Sequence, residues 1–170
     1  PDTLLEIGDE AFALCDSLIE ATIPASVQTY GKGIFMEDGS LQYVELPYGL
    51  TEIPKNMFYA CLSLRSIQIP YGVTTICEGA FSKSGLQRLS LPNTVTTIER
   101  FAYAQLSNMR EIVIPESITT IGNEAFSYSR NVTSITIGSN VSRIGNDAFY
   151  MWHLDDGGAW QDGAVPEVKS

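Results

Sequence analysis

Few side chains of this 170-residue sequence have the types and spacing that catalysis or metal binding requires. The one histidine, His153, closely precedes Asp155 and Asp156, and a histidine beside carboxylates can transfer protons or bind a metal ion. That spacing matches no specific catalytic or metal-binding motif, so we interpret the three residues as a solvated segment. The sequence therefore predicts no catalytic residues, no cofactor and no metal site.

The spacing of the cysteines leads to the same prediction. Cys15, Cys61 and Cys77 include no Cys-x-x-Cys pair, which zinc-binding and dithiol redox sites commonly use. Cys15 and Cys61 also stand two copies apart in the repeat described next, and two stacked strands are about 10 Å apart, too far for a disulfide. We therefore expect all three cysteines to be buried free thiols.

A repeated pattern occupies almost all of the sequence. Its form is Leu-x-x-Ile-x-Ile-Pro-x-x-Val-x-x-Ile-x-x-x-Ala-Phe, as in Leu64–Phe81. The proline place recurs every 22 or 23 residues, and an aromatic residue follows it by 11 residues in every copy. Those aromatic residues are Phe12, Phe35, Phe58, Phe81, Tyr103, Phe126 and Phe149. A period of about 20–29 residues is typical of leucine-rich-repeat solenoids, whose turns stack on one another.

The apolar residues of each repeat predict a short strand with one buried face. Ile67 and Ile69, or Ile112 and Ile114, alternate with residues that would point to solvent. The proline ends the strand because it cannot donate a ladder hydrogen bond. We predict a β-rich α/β fold: a right-handed leucine-rich-repeat solenoid of about seven 22–23-residue turns, with short parallel strands and little helix.

A polar column lies two residues after the proline place. Its members are Thr3, Ser26, Gly49, Gly72, Thr94, Ser117 and Asn140. We expect the side chains to satisfy backbone groups of the buried turns, and the two glycines to contribute backbone freedom instead.

Departures from the pattern mark two places in the chain. Tyr30 replaces the usual Ile. Pro54 stands where Gly is usual and Met57 where Ala is usual, and we expect these two substitutions to enlarge their turn locally. The repeat ends near Trp152, since Asp155 takes the place of the next apolar residue. We predict a solenoid over residues 1–152 and a C-terminal cap or linker over residues 153–170.

The motif resembles the BspA-like, or treponemal-type, leucine-rich repeats. Met109–Phe126 carries it most fully, with Met in place of the first Leu, and the resemblance covers roughly residues 1–152. The resemblance implies a cell-surface or secreted protein of a bacterium or a parasitic protozoon, associated with adhesion, and the family has no catalytic motif to carry over. We therefore expect a non-enzymatic module that binds a protein ligand such as a host extracellular-matrix or cell-surface protein. The alternative is a structural spacer, or a segment that self-associates through an open N-terminal end.

The exposed positions of the predicted strands are the candidate binding surface, because solenoids use such continuous faces for ligands. Tyrosine and arginine are enriched at binding hot spots. An ordinary solvated sheet face is the competing interpretation, and Tyr48 and Tyr71, in two Pro-Tyr-Gly turns, form a second candidate patch. The candidate residues of the strand face are Glu20, Tyr43, Glu45, Ser66, Gln68, Arg88, Glu111 and Val113.

Charge and threonine content limit the other partners. The net charge of −10 argues against nucleic acids and anionic membranes as partners, because both need basic surfaces. It suits a soluble acidic surface or a basic partner. Rows of threonine, such as Thr74-Thr75 and Thr119-Thr120, could bind ice or carbohydrate, but we interpret them as half-exposed sheet residues.

Overall fold

The computed structural model describes residues 2–154, 160–162 and 167–169, with side chains over residues 2–151. These described parts contain short strands and no helix, and hence no helix that is long and apolar enough to cross a membrane. The strands are β1 Glu6–Ile7, β2 Glu20–Thr22, β3 Thr29–Tyr30, β4 Tyr43–Glu45, β5 Glu52–Ile53, β6 Thr75–Ile76, β7 Thr97–Ile98, β8 Glu111–Ile114, β9 Thr120–Ile121, β10 Ser134–Ile137, β11 Arg143–Ile144, β12 Trp152–Leu154, β13 Trp160–Asp162 and β14 Glu167–Lys169.

The chain winds as a β-solenoid in which each copy of the repeat forms one turn. We number these windings from the proline place of each copy: winding 1 is residues 2–23, followed by 24–46, 47–69, 70–91, 92–114, 115–137 and 138–151. Seven aromatic residues delimit six complete turns between Phe12 and Phe149, so the prediction of about seven turns is slightly high. The parallel solenoid itself is confirmed.

Two sets of parallel strands lie on two sides of the solenoid. The front sheet consists of β2 paired with β4, and of β8, β10 and β14 paired in that order. The side sheet consists of β1 paired with β3, and of β5, β6, β7, β9 and β11 paired in that order. Separately, β12 pairs antiparallel with β13. The division of the chain at residue 152 into a solenoid and a cap stays a prediction.

The front sheet forms at four of the predicted strands but not in windings 3 and 4. Residues 66–69 and 88–91 are not in strands, although Gln87 N donates one hydrogen bond to Arg65 O at 3.2 Å. Winding 4 is the copy that lacks one residue. By contrast, β8 and β10 pair over four residues, from Glu111 opposite Ser134 to Ile114 opposite Ile137.

The side sheet was not predicted as a separate set of strands. From the sequence we predict that its threonines are half-exposed sheet residues and that its isoleucines form a layer of the core. A hydroxyl row supports the sheet, because Thr74, Thr96, Thr119 and Ser142 each donate through the side chain to the carbonyl oxygen of the same column in the preceding winding, at 3.1–3.5 Å. The row is therefore structural.

The third side of the solenoid, the loop side, holds a continuous stack of aromatic rings. Consecutive rings from Phe12 to Phe149 lie 5.2–5.7 Å apart between centroids, with interplanar angles of 4–15°. The backbone N–H of each ring residue up to Phe126 donates to the carbonyl before the next ring residue, at 2.7–2.9 Å. Offset stacking of this kind contributes roughly 0.5–1.5 kcal/mol per pair beyond the apolar area buried.

Left-handed backbone conformations flank every ring from Phe12 to Phe126. The residue two before the ring has φ between 55° and 65° in all seven copies, and the residue two after it has φ between 57° and 64° in six. Most of these residues are not glycine, so each conformation carries a strain of about 1–2 kcal/mol. The left-handed conformation directs every second N–H group along the axis of the ring stack. There it donates to a carbonyl of the next winding, as Glu124 N does to Asn146 O at 2.8 Å.

The core residues are fully buried in the middle of the solenoid and partly exposed in the first winding. Ile53, Ile76, Ile98 and Ile121 of the side sheet are fully buried. In winding 1, Leu5, Phe12, Leu14 and Ile19 are instead 41–62% exposed. A winding buries its apolar face only against its neighbours, so the winding at an end retains exposed apolar area.

The polar column behaves largely as expected. Ser26 Oγ donates to Leu4 O at 2.8 Å, and Thr94 Oγ1 accepts from Gly72 N at 3.2 Å. Gly49 and Gly72 have φ of 99° and 113°, which residues with a Cβ rarely adopt. Ser117 departs from the expectation, since its buried hydroxyl has no hydrogen-bond partner.

The expectation for the cysteines holds for Cys61 but not for Cys15. All three are free, Cys61 is buried, Cys77 is half-buried and Cys15 is exposed. Cys15 lies in winding 1, the first winding that the structure describes, and only winding 2 packs against it there.

Candidate functional site

All eight candidate residues of the front face point to solvent, as the alternation of the strands predicts. Glu20 lies opposite Tyr43 in the β2–β4 pair, and Thr22 Oγ1 lies 3.4 Å from Glu45 Oε2. Glu111 and Val113 lie on β8, three windings further along. Ser66, Gln68 and Arg88 are exposed in the two windings between these strands, where the front sheet is interrupted.

The structure gathers three candidate residues into one groove with the tyrosines of the second predicted patch. Tyr43, Glu45 and Gln68 line a groove of about 400 Å³ together with Tyr48 and Tyr71. Tyr43, Tyr48 and Tyr71 are 57%, 88% and 70% exposed, so their rings are available to a ligand. Ser66, Arg88, Glu111 and Val113 do not line this groove. The strand face and the turn patch, which the sequence treated as alternatives, therefore meet at one place.

This groove lies beside the junction between windings 2 and 3, where the strand pairing is interrupted. The front sheet ends at β4 and does not pair with residues 66–68, and β3 does not pair with β5 in the side sheet. Among the windings described, this is the one junction at which neither sheet continues. Its backbone hydrogen bonds lie on the loop side, where Phe35 N donates to Met57 O at 2.9 Å and the rings of Phe35 and Phe58 lie 5.7 Å apart, and the shared apolar core packs beside them.

Pro54 removes one of the hydrogen bonds that would continue the side sheet across this junction. At the equivalent place, the N–H groups of Gly31, Cys77, Glu99, Gly122 and Gly145 donate to the carbonyl oxygen of the preceding winding at 2.7–3.1 Å. Proline has no N–H and cannot make this bond to Tyr30 O. Tyr30 adds to the effect, because its hydroxyl donates to Val27 O within its own winding at 3.0 Å. Burial raises the pKa of the Tyr30 hydroxyl, so this donor stays protonated.

A second groove opens on the side sheet at the same junction. It has a volume of about 470 Å³, and Gln28, Tyr30, Glu52 and Pro54 are among its lining residues. Tyr48 lines this groove as well as the front groove. The sequence did not predict the second groove, although Tyr30 and Pro54, recognised as departures from the repeat, were the signal for it. Both grooves have a carboxylate, and neither is lined by Lys or Arg.

Two of the three thiols, those of Cys61 and Cys77, are not suited to nucleophilic chemistry. Burial raises the pKa of Cys61 to about 12, and the charge of Asp38 adds to this shift. Burial likewise raises the pKa of Cys77 to about 12, with further contributions from Glu52 and Glu99. A thiol must ionise to attack a substrate, and these two stay protonated at neutral pH.

No metal centre is found where side chains are described. Over residues 2–151, no three His, Cys, Asp or Glu side chains lie together as ligands. The side chain of His153 and the residues Asp155 and Asp156 lie outside the described part of the chain. The prediction that they form a solvated segment stays untested.

Several solved structures are similar to this chain. A leucine-rich repeat protein from Bacteroides ovatus superposes with a TM-score of 0.78 and 28% identity over 85% of this chain, which corresponds to 38% of that protein's chain. The leucine-rich repeat protein of T. pallidum has a TM-score of 0.72 and 27% identity, over 83% of this chain and 66% of the other. A leucine-rich cell surface protein of Faecalibacterium prausnitzii has a TM-score of 0.55 and 32% identity, over 79% of this chain and 30% of the other.

The chain thus spans less than two thirds of each of these structures. No curated protein matches the sequence significantly. The sequence matches the protein-family model of the BspA-type leucine-rich repeat region in six copies, over residues 1–82 and 28–155. With the stacked aromatic column and the parallel windings in place, the chain belongs to the BspA-type leucine-rich repeat family.

Proposed function

We propose that this chain is a non-catalytic binding and adhesion module of a cell-surface or secreted protein. It recognises a host extracellular-matrix or cell-surface protein through the exposed face of the front sheet. The observation that carries the proposal is the gathering of Tyr43, Tyr48 and Tyr71 beside Glu45 on one open groove. Exposed tyrosines supply large contact areas at low cost in conformational entropy, and they are enriched at binding hot spots.

The comparisons support a surface location for such a module. One structural neighbour is described as a leucine-rich cell surface protein. The acidic surface, with a net charge of −10, also favours contact with a protein over contact with nucleic acid.

Binding to purified extracellular-matrix proteins, immobilised singly on a sensor surface, tests the proposal. The double variant Tyr43→Ala with Arg88→Ala should lower the affinity for the recognised protein by tenfold or more, about 1.4 kcal/mol. Tyr128→Ala with Arg130→Ala removes the same residue types on the loop side and should bind as the unaltered chain does. Equal melting temperatures would show that both variants remain folded. Unchanged affinity in the first variant would rule out the front face as the binding surface.

A second candidate function is self-association through winding 1. Phe12, Leu18, Ile23 and Phe35 are among the residues that line an apolar groove of about 290 Å³ at this winding, and Leu14 of the same winding is 62% exposed. Light scattering across a concentration series should then show a mass that rises with concentration, and Leu14→Asp should abolish the rise. A constant mass of one chain would contradict this function.

A further inference from the structure

Two grooves meet at a single exposed ring, and we call them together the fissure: the side groove lies at the junction between windings 2 and 3, and the front groove extends from winding 2 to Tyr71 of winding 4. Both grooves include Tyr48, which is 88% exposed on the turn Pro47-Tyr48-Gly49. The front groove adds Tyr43 and Tyr71, and the side groove adds Tyr30. A chain segment laid across this turn would meet aromatic faces on both sides of it.

The backbone at this fissure disfavours addition of a β-strand. Strand addition needs a row of free N–H and C=O groups on the receiving edge. Pro54 lines the side groove and Pro70 lines the front groove, and Pro47 begins the turn between them. These residues have no N–H, so the edges cannot provide a regular ladder to an incoming strand.

Aromatic grooves of this kind suit a polyproline II segment instead. Such a segment has no internal hydrogen bonds, and it packs its rings on aromatic side chains without a backbone ladder. Its free carbonyl groups can accept hydrogen bonds from tyrosine hydroxyls. Because the segment is extended before it binds, little conformational entropy is lost on association.

The charged residues that line the fissure determine which net charge a bound segment should carry. Glu45 lies in the front groove and Glu52 in the side groove, and neither groove is lined by Lys or Arg. A cationic side chain can pair with either carboxylate or lie over a tyrosine ring. An acidic segment would meet carboxylates on both sides of Tyr48.

We infer that the fissure around Tyr48 binds an extended, proline-containing basic segment of a partner protein. This inference rests on the proposed function, since it specifies the partner chemistry of the same binding face. The front groove brings the three exposed tyrosines together, and the two carboxylates favour a positively charged segment.

Fluorescence anisotropy with three labelled peptides of equal length tests the inference. One peptide repeats Pro-Pro-Arg, one repeats Pro-Pro-Glu, and one repeats Gly-Gly-Arg to retain the charge without the polyproline II conformation. The Pro-Pro-Arg peptide should bind about tenfold or more tightly than either of the others, and its binding should weaken as salt concentration rises. Equal binding of the three peptides, or equal binding of the two arginine peptides, would overturn the inference.

Variants of the full chain locate the site. Tyr48→Ala and Tyr71→Ala should each weaken binding of the Pro-Pro-Arg peptide by about tenfold, whereas Tyr128→Ala on the loop side should leave it unchanged. Tyr48 is almost fully exposed, so its removal should not alter the melting temperature. Unchanged affinity in Tyr48→Ala, or competition by a neutral oligosaccharide at the same ring, would overturn the inference.

Failure here can be separated from failure of the proposed function. If the peptides do not bind while Tyr43→Ala with Arg88→Ala still weakens binding to a matrix protein, the front face recognises another chemistry and only the inference falls. If neither experiment shows an effect, the proposed binding face falls as well.

Discussion

The junction between windings 2 and 3 and the junction between windings 5 and 6 join equivalent residues in different ways. At the second junction both sheets continue, through β7 with β9 and β8 with β10, and the rings of Tyr103 and Phe126 lie 5.4 Å apart. At the first junction neither sheet continues, and the rings lie 5.7 Å apart. The loop side and the apolar core therefore keep two windings in register where neither sheet continues.

Removing one ring at each junction should give the largest effect. Phe58→Ala and Phe126→Ala each delete a fully buried ring, and each should lower the free energy of unfolding by roughly 3–5 kcal/mol. Phe58→Ala removes a ring contact at a junction that no sheet bridges, whereas Phe126→Ala leaves both sheets paired, so only Phe58→Ala should split chemical denaturation into two transitions. Phe12→Ala, at a ring that is 41% exposed, should have a much smaller effect. A single transition in Phe58→Ala would contradict the role given to the loop side.

Asp38 provides a pH test of the loop side of winding 2. Its side chain is fully buried; Oδ1 accepts from Cys15 N at 2.6 Å, and Oδ2 has no partner. Burial raises the pKa of this carboxyl above its ordinary value of 3.8, although the hydrogen bond from Cys15 opposes the shift and Asp16 adds to it. The folded chain therefore holds this proton more tightly than the unfolded chain does.

The contribution of Asp38 to stability should consequently be fully present below about pH 3.8 and decline as the pH rises through the folded-state pKa. Relative to Asp38→Asn, the unaltered chain should gain stability as the pH falls from 7 to 4. The difference should be on the order of 1 kcal/mol, since a buried unpaired polar atom costs roughly 1–3 kcal/mol. Urea denaturation of both proteins at each pH measures it, and a difference independent of pH would show that the carboxyl does not titrate in this range.

Closing the open junction should give a moderate effect. Pro54→Gly with Tyr30→Ile restores both the N–H donor and the side chain usual at these places, and the new N–H should bond to the carbonyl of residue 30. One added hydrogen bond contributes about 0.5–1.5 kcal/mol, offset in part by the greater freedom of unfolded glycine. Hydrogen exchange should show protection at residue 54 comparable to that at Gly122. Fast exchange at residue 54 would mean that the junction is open for another reason.

The surface ion pairs between windings should give the smallest effect. Lys55 Nζ lies 3.0 Å from Glu78 Oε2, and both side chains are largely exposed. Lys55→Met should therefore change the free energy of unfolding by about 0.5 kcal/mol or less, and added salt should remove the difference. A larger loss would show that charge pairs, and not only the ring stack, hold neighbouring windings together.

Different parts of the molecule were predictable to different degrees. The row from Phe12 to Phe149 and the outward direction of Tyr43 and Glu45 followed from periodicity alone, because a fixed repeat length brings equivalent residues into one column. The side sheet was missed, since Thr-Ile pairs such as Thr97-Ile98 are too short to show a strand period. The exposure of Cys15 was missed because burial in a solenoid depends on the neighbouring winding.

The sequence by itself determined the repeat, the family, the core columns and the outward strand positions. Each of these follows from residue type and spacing within one winding. Only the tertiary structure decided that Tyr43, Tyr48 and Tyr71 share one groove and that both sheets stop between windings 2 and 3. The physical reason is that pairing belongs to two windings at once. A missing N–H at Pro54 matters only because Tyr30 O lies in the winding before it.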